Sequence, residues 1–141
     1  MKKILILNGP NLNMLGLREP EIYGRETLDD IKGLCLEEAG RYGAAIDFRQ
    51  SNHEGELVTW IQEARGIVDG LIINAAAYTH TSVALHDALR LLTCPIAEVH
   101  LSDPKKREAF RHISYIEPVA QIHITGKGAA GYTEALRALL A

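Results

Sequence analysis

The chain predicts an α/β fold: a doubly wound, five-stranded parallel sheet with helices on both faces. Three observations predict it. Short apolar runs recur at 4–7, 45–48, 70–73, 96–101 and 119–124, and the clearest of them are continuous rather than alternating, as strands buried on both faces are. Stretches with helical spacing lie between these runs and after the last, which implies right-handed crossovers. Polar residues collect where the runs end: Asn8, then Ser51, Asn52 and His53, then Asn74, His100 and Thr125.

The first run, Ile-Leu-Ile-Leu, opens into a loop that carries Asn8, Asn11, Asn13, Arg18 and Tyr23 before Gly24. Connections in compact domains are typically about 4–6 residues, and ligands in open α/β sheets bind beyond the carboxyl ends of the strands. The loop therefore reads as a lid over a site, with its lid portion at about residues 17–25. Thr27 precedes Leu28, Ile31, Leu34, Cys35 and Ala39, and Asp30 stands where a capping box usually has Glu. Gly43 marks that helix's end. Leu57, Trp60, Ile61 and Ala64 define the core stripe of a second helix ending at Gly66. The acidic residues Glu54 and Glu56 favour its first turn, with Ser51 or Asn52 as the expected N-cap. A third helix spans about 81–92, capped by Thr81 or Ser82 and stopped at Thr93-Cys94-Pro95; the last carries Leu136, Leu139 and Leu140. Five such units suit, by analogy, the flavodoxin-like strand order 2-1-3-4-5.

At 141 residues and 47 % hydrophobic, the chain suits one domain, 1–141, with a real core. A net charge of −3 without a Lys/Arg stripe argues against nucleic-acid or anionic-membrane partners. Cys35 and Cys94 form no C-x-x-C and read as reduced core thiols in helical patterns. Met1-Lys2-Lys3 and the short apolar run after it end at Asn8-Gly-Pro, too soon for a signal peptide or membrane span. A soluble, cytoplasmic protein is expected.

Glu98 and His100 are two apart, so strand alternation places both on one face. A carboxylate there needs a partner, and the strand-end position favours a histidine oriented for acid–base chemistry over a structural pair. Asn74, an amide ending a central strand, must find partners, a ligand among the candidates. Ser102-Asp103-Pro104 reads as an N-cap followed by Pro at the first helical position; Arg107 and Arg111 would share a face if that helix continued, turned to an anion or to solvent. Gly126-Lys-Gly-Ala-Ala-Gly131 matches G-x-G-x-x-G, but no strand follows to bring the acidic ribose contact about twenty residues on; the glycines instead permit a tight turn and close helix packing. The six histidines lack metal-site spacing.

Leu-Asn-Gly-Pro-Asn-Leu-Asn-x-Leu-Gly near the start, Arg18-Glu-Pro-Glu-Ile-Tyr-Gly, Arg49-Gln-Ser-Asn-His-Glu-Gly-Glu, Tyr78-Thr-His-Thr-Ser-Val-Ala and Glu98-Val-His-Leu-Ser together resemble type II 3-dehydroquinate dehydratase across nearly the whole chain. The resemblance implies a flavodoxin-like fold, a dodecamer built from trimers, no cofactor or metal, and trans elimination of water from 3-dehydroquinate. It also implies roles. Tyr23 would remove a C2 proton with Arg18 as its activator, and Asn11 would hold the water that stabilises the enolate oxygen. His100, oriented by Glu98, would protonate the departing C1 hydroxyl. Asn74, the Ser102 hydroxyl and the amides of Leu101 and Ser102 match the substrate-carboxylate site, His80 and Arg107 match groups on the ring hydroxyls, and Asp87 matches a residue reaching a neighbouring subunit's site. Three positions depart from the family's usual pattern: Ala75-Ala76 in place of Pro-Gly or Pro-Ala, Asp103 for Asn, and Lys127 for an apolar residue. Asp103 is expected to cap the following turn.

Two alternatives predict different loops. An FMN- or nucleotide-binding module of the same fold wants a first loop rich in Ser, Thr and Gly, and this one has Pro, Asn, Arg and Tyr. A phosphoacceptor signalling domain wants acidic residues where Asn8 and Asn74 stand.

Overall fold

The computed structural model describes residues 1–17, 19–23 and 25–141, with the side chains of Pro20 and Tyr23 left aside. Five parallel strands, β1 (Lys3–Asn8), β2 (Ala45–Gln50), β3 (Gly70–Asn74), β4 (Ile96–His100) and β5 (Ile122–Thr125), lie in the order β2-β1-β3-β4-β5. This is the flavodoxin-like arrangement. The helices are α1 (Pro20–Tyr23), α2 (Leu28–Gly40), α3 (Glu54–Ala64), α4 (Val83–Leu89) and α5 (Ala130–Leu140).

Side-chain alternation builds two cores from one sheet. Ile4, Ile6, Ile72, Ala97 and Val99 pack with α2 and α5 on one side, and Leu5, Leu7, Leu71, Ile73 and Ile96 pack with α3 and α4 on the other. The central strands read as unbroken apolar runs because both faces are covered. Ile96 also fixes the side on which Glu98 and His100 emerge, the α3–α4 side.

Several local expectations hold. Thr27 and Asp30 form the reciprocal capping box, Ser82 caps α4, and the Asp103 carboxylate accepts from the Lys105 amide. Others are corrected. Residues 117–119 are a 3-10 turn with Pro118 in its first turn, and β5 begins only at Ile122. Val119 is apolar because it packs on the α3–α4 core, not because it is in a strand. The α4 helix is shorter than the apolar pattern, its end tightening into turns at Leu91 and Leu92. Cys94 lies in a bend beyond it, outside any helix. The N-cap of α3 is His53, without a side-chain cap; Ser51 Oγ accepts from the His53 amide, and Asn52 turns elsewhere.

Candidate active site

The first loop, the ends of β3 and β4 and the segments that follow those two strands enclose a cavity of about 270 Å³. Asn74 lines the cavity and ends β3 in register with Asn8 at the end of β1. Both amides are buried and both are satisfied from α5: the Tyr132 hydroxyl donates to Asn8 Oδ1 at 2.7 Å and accepts from Asn74 Nδ2 at 3.0 Å. Asn8 Nδ2 donates to the Arg49 carbonyl at 3.0 Å, and Asn74 Oδ1 accepts from the Ala76 amide at 3.2 Å. Burial pushes the Tyr132 phenol up, and the Asn74 hydrogen bond only partly opposes this. That phenol stays protonated and serves the scaffold.

The chain passes closely here. The Gly9 amide donates to the Asn74 carbonyl at 2.8 Å, and a Cβ on Gly9 would lie 2.3 Å from the Ala75 carbonyl oxygen, so only glycine fits. Ala76 takes φ 53°, a left-handed conformation costly for a residue with a Cβ. The departure at Ala75-Ala76 is therefore a backbone matter, and Ala76 itself lines the cavity.

Asn11, also left-handed at φ 68°, is held from β2 and its following loop. Its amide donates to Asn52 Oδ1 at 3.0 Å, Gln50 Nε2 donates to Asn52 Oδ1 and to the Gly9 carbonyl, each at 3.1 Å, and the Tyr78 hydroxyl donates to the Asn52 carbonyl at 2.7 Å. Asn52 thus braces the first loop. Sequence spacing carried no signal of this, because the contact exists only once β2 lies beside β1.

At the end of β4, His100 Nε2 lies 2.7 Å from Glu98 Oε2. Ser114 Oγ donates to the same oxygen at 2.7 Å, and His123 Nδ1 lies 3.3 Å from Oε1. Burial pushes the Glu98 carboxyl up, but hydrogen bonds from His100, Ser114 and His123, together with the charge of His100, outweigh it and hold the group below its ordinary value. An ionised Glu98 accepts from His100 Nε2, which leaves Nδ1 for a ligand in the cavity that His100 lines.

His80 Nδ1 donates to the Ile113 carbonyl at 2.8 Å, leaving Nε2 as its second polar atom. Burial, followed by the neighbouring positive groups His100 and Arg111, holds His80 below its ordinary pKa against the raising effect of Ile113. It is a neutral hydrogen-bonding group at pH 7. Arg107 and Arg111 both line the cavity, although the helix they were expected to share stops at Lys106 and Arg107 is extended. Arg107 Nη1 lies 3.5 Å from Ser102 Oγ, and Arg111 pairs with Glu108 at 3.0 Å while lying over Phe110.

The glycine-rich segment after β5 is turned toward the loop after β4. The Gly126 amide donates to the Ser102 carbonyl at 3.1 Å and the Gly128 amide to the Leu101 carbonyl at 3.0 Å, so the turn tethers the loop after β4. Gly131 lets α5 approach Ile124 and Val99, whose atoms would lie 3.2 and 3.4 Å from an added Cβ. Lys127 pairs with Glu134 at 2.8 Å.

Of the residues expected from sequence, Asn11, Asn74, His80, His100, Leu101, Ser102 and Arg107 line one cavity, and Glu98 supports it from behind His100. Asp87 is exposed on α4 and does not line the cavity of its own chain. Arg18 and the side chain of Tyr23 lie outside the described residues; the backbone of Tyr23 ends α1. Arg111 was named in sequence without a side being chosen for it. Among the described residues, the cavity has two arginines and two histidines but no carboxylate, lysine or tyrosine. Leu12, Leu15 and Leu101 add an apolar wall. Such a lining suits a small anion carrying several hydroxyl or carbonyl groups. No cluster of three or more His, Cys, Asp or Glu side chains among the described residues is placed to hold a metal.

A family model described as Dehydroquinase class II matches residues 2–140. A 3-dehydroquinate dehydratase of Hyphomonas neptunium is 59 % identical over 139 residues, covering 99 % of this chain and 93 % of that protein. The 3-dehydroquinate dehydratase 2 of Ralstonia nicotianae is 54 % identical over 145 residues, covering 99 % and 94 %. Among solved structures, the type II dehydroquinase of Butyrivibrio crossotus superposes with a TM-score of 0.96 at 44 % identity, covering 99 % of this chain and 98 % of that one. The polar strand ends, the buried Glu98–His100 pair and these likenesses agree: the chain belongs to the class II dehydroquinase family.

Proposed function

We propose that this chain is a 3-dehydroquinate dehydratase that eliminates water in the trans sense, through an enolate, to give 3-dehydroshikimate. The observation that carries the reading is a histidine with one nitrogen locked by a buried carboxylate and the other left for a cavity whose described charged lining is cationic. The substrate is a carboxylate with ring hydroxyls, and the lining is complementary to both. Mixing the purified chain with 3-dehydroquinate should produce the ultraviolet absorbance of the conjugated enone. With substrate deuterated stereospecifically at C2, deuterium should be lost from the face opposite the leaving hydroxyl.

The proton removed lies α to a ketone, so the base must be strong and the developing enolate charge must meet fixed hydrogen bonds. An ordinary phenol, with a pKa of about 10, is ionised in about one part in a thousand at pH 7; populating phenolate costs about 4 kcal/mol, part of which an adjacent guanidinium offsets. We assign the base to Tyr23 and its activation to Arg18. Support comes by elimination: none of the four other tyrosines lines the cavity, Tyr132 being buried and committed to two amides and Tyr78 donating to Asn52. In the same proposal Asn11 holds the water that meets the enolate oxygen, and His100, oriented by Glu98, protonates the C1 hydroxyl as it leaves. Asn74, Ser102 and the backbone amides of Leu101 and Ser102 take the carboxylate, while His80 and Arg107 hold the ring hydroxyls. Arg111 joins them from the same wall.

The proposal extends to a single catalytic domain over 1–141 with a lid at about residues 17–25, assembled in the cytoplasm as a dodecamer, a tetramer of trimers. The exposure of Asp87 on α4 is compatible with a role in a neighbouring subunit's site. Sedimentation velocity would report the assembly directly.

A further inference from the structure

One histidine near the site has no part in the elimination as proposed. His123 is the register partner of Glu98 across β4 and β5, so both side chains leave the sheet on the same face. The two oxygens of Glu98 are divided between different elements: Oε2 takes His100 Nε2 and Ser114 Oγ, each at 2.7 Å, and Oε1 takes His123 Nδ1 at 3.3 Å. The His123 side chain is 41 % exposed and that of Glu98 5 %, so the ring reaches from the sheet edge to a buried charge. A second hollow of about 200 Å³ opens on this side, lined by His123, Glu98 and Ser114 among others.

The terminal torsion of a glutamate is broad and roughly two-fold. Two donors converging on one oxygen leave the carboxylate free to turn about the axis through that oxygen; a third donor on the other oxygen fixes its plane. We propose that His123 is a positioning residue for the dehydration: its Nδ1–H sets the plane of the Glu98 carboxylate and through it the ring of His100. The proposal rests on the assignment of His100 as the acid. It adds a side chain from β5 that touches neither substrate nor the acid itself.

Three chains test it, assayed with 3-dehydroquinate: the parent, His123→Val and His123→Asn. Valine suits a strand and removes the donor; asparagine places its Nδ2 at about the position of the imidazole Nδ1 and restores it. His123→Val should lose about tenfold in kcat, as misplacement of an acid does, with KM unchanged. His123→Asn should recover most of that loss, and both variants should melt cooperatively. Parental kcat in His123→Val, a loss carried by KM, or a folded His123→Asn as slow as His123→Val would overturn the proposal. Nitrogen NMR of the parent gives a reading independent of variant folding and of activity: neutral His123 should carry its proton on Nδ1, and an Nε2–H tautomer would overturn the clamp. A parent inactive toward dehydroquinate but carrying the Nδ1–H tautomer would instead count against the acid assignment on which the proposal stands.

Discussion

The Tyr132 hydroxyl donates to Asn8 Oδ1 across 124 residues of chain at 2.7 Å, joining the last helix to the end of the first strand beneath the cavity. Tyr132→Phe keeps the ring and removes this bond and the one from Asn74. Two buried amides would then be left partly unpaired, so urea unfolding should show a loss of about 2–3 kcal/mol. A loss within error of zero would mean that the amides find other partners.

Ala76 should be improved by glycine. Its φ of 53° is costly with a Cβ, and Ala76→Gly should stabilise the fold by about 0.5–1 kcal/mol once glycine's greater unfolded freedom is counted. The denaturation midpoint is the measurement, and an unchanged or lower midpoint would contradict the strain.

Cys35 is buried and its thiol is pushed up to about 12 by burial, from an ordinary 9.0. The sign follows from linkage: the neutral thiol's contribution is complete below the unfolded pKa and is lost as pH rises from about 9 toward 12. A disulfide reagent at pH 8 should leave Cys35 unmodified in the native chain and label it on unfolding. Rapid native labelling of Cys35, located by peptide mass spectrometry, would show that the α2–α5 core opens locally.

His100→Asn should lower kcat by about 10²–10⁴ with the fold intact, because the leaving hydroxide loses its proton donor. Glu98→Gln should cost less. It keeps an acceptor for one side of the cluster but turns an amide N–H toward donors on the other, where a histidine can change tautomer to accept. A Glu98→Gln variant slower than His100→Asn would reverse the proposed hierarchy.

Tyr23 and Arg18 are tied to one free-energy term. Tyr23→Phe should collapse kcat while substrate still binds. Arg18→Ala should move the basic limb of the pH–rate profile to higher pH, because the phenolate loses its cationic neighbour. The double variant should be scarcely slower than Tyr23→Phe alone, as for residues that act as a unit. Additive losses, or an unmoved pH profile in Arg18→Ala, would assign Arg18 to substrate binding or loop closure.

The sheet was legible because its central strands are covered on both faces and so are written as continuous apolar runs. Where burial and strand part company, the reading failed: Val119 is apolar for packing, and Pro118 helps make the segment a turn. The Glu98–His100 pair was legible from alternation alone, since two residues on one strand need no knowledge of the fold. Its other partners, Ser114 and His123, were not, because only tertiary pairing brings them there. The same limit explains Asn52, whose polar side chain was read as a local cap but braces a loop some forty residues earlier. The roles of Arg18 and Tyr23 came from resemblance, not from spacing.

The turn after β5 has a stereochemical consequence for recognition. In a trans peptide the carbonyl and the amide of one unit point in opposite directions, and no described peptide is cis. Gly128 draws the Leu101 carbonyl toward itself, so the amide that shares its plane, that of Ser102, is aimed the other way. Gly126 does the same to the next unit through the Ser102 carbonyl. A glycine pattern that resembles a phosphate cradle thus works at one remove: its Gly126 and Gly128 amides are given to carbonyls, and through them it orients a donor on a different segment. On the proposed reading, part of the selectivity for a carboxylate is encoded in peptide-plane orientation, where a comparison of side chains alone would not find it.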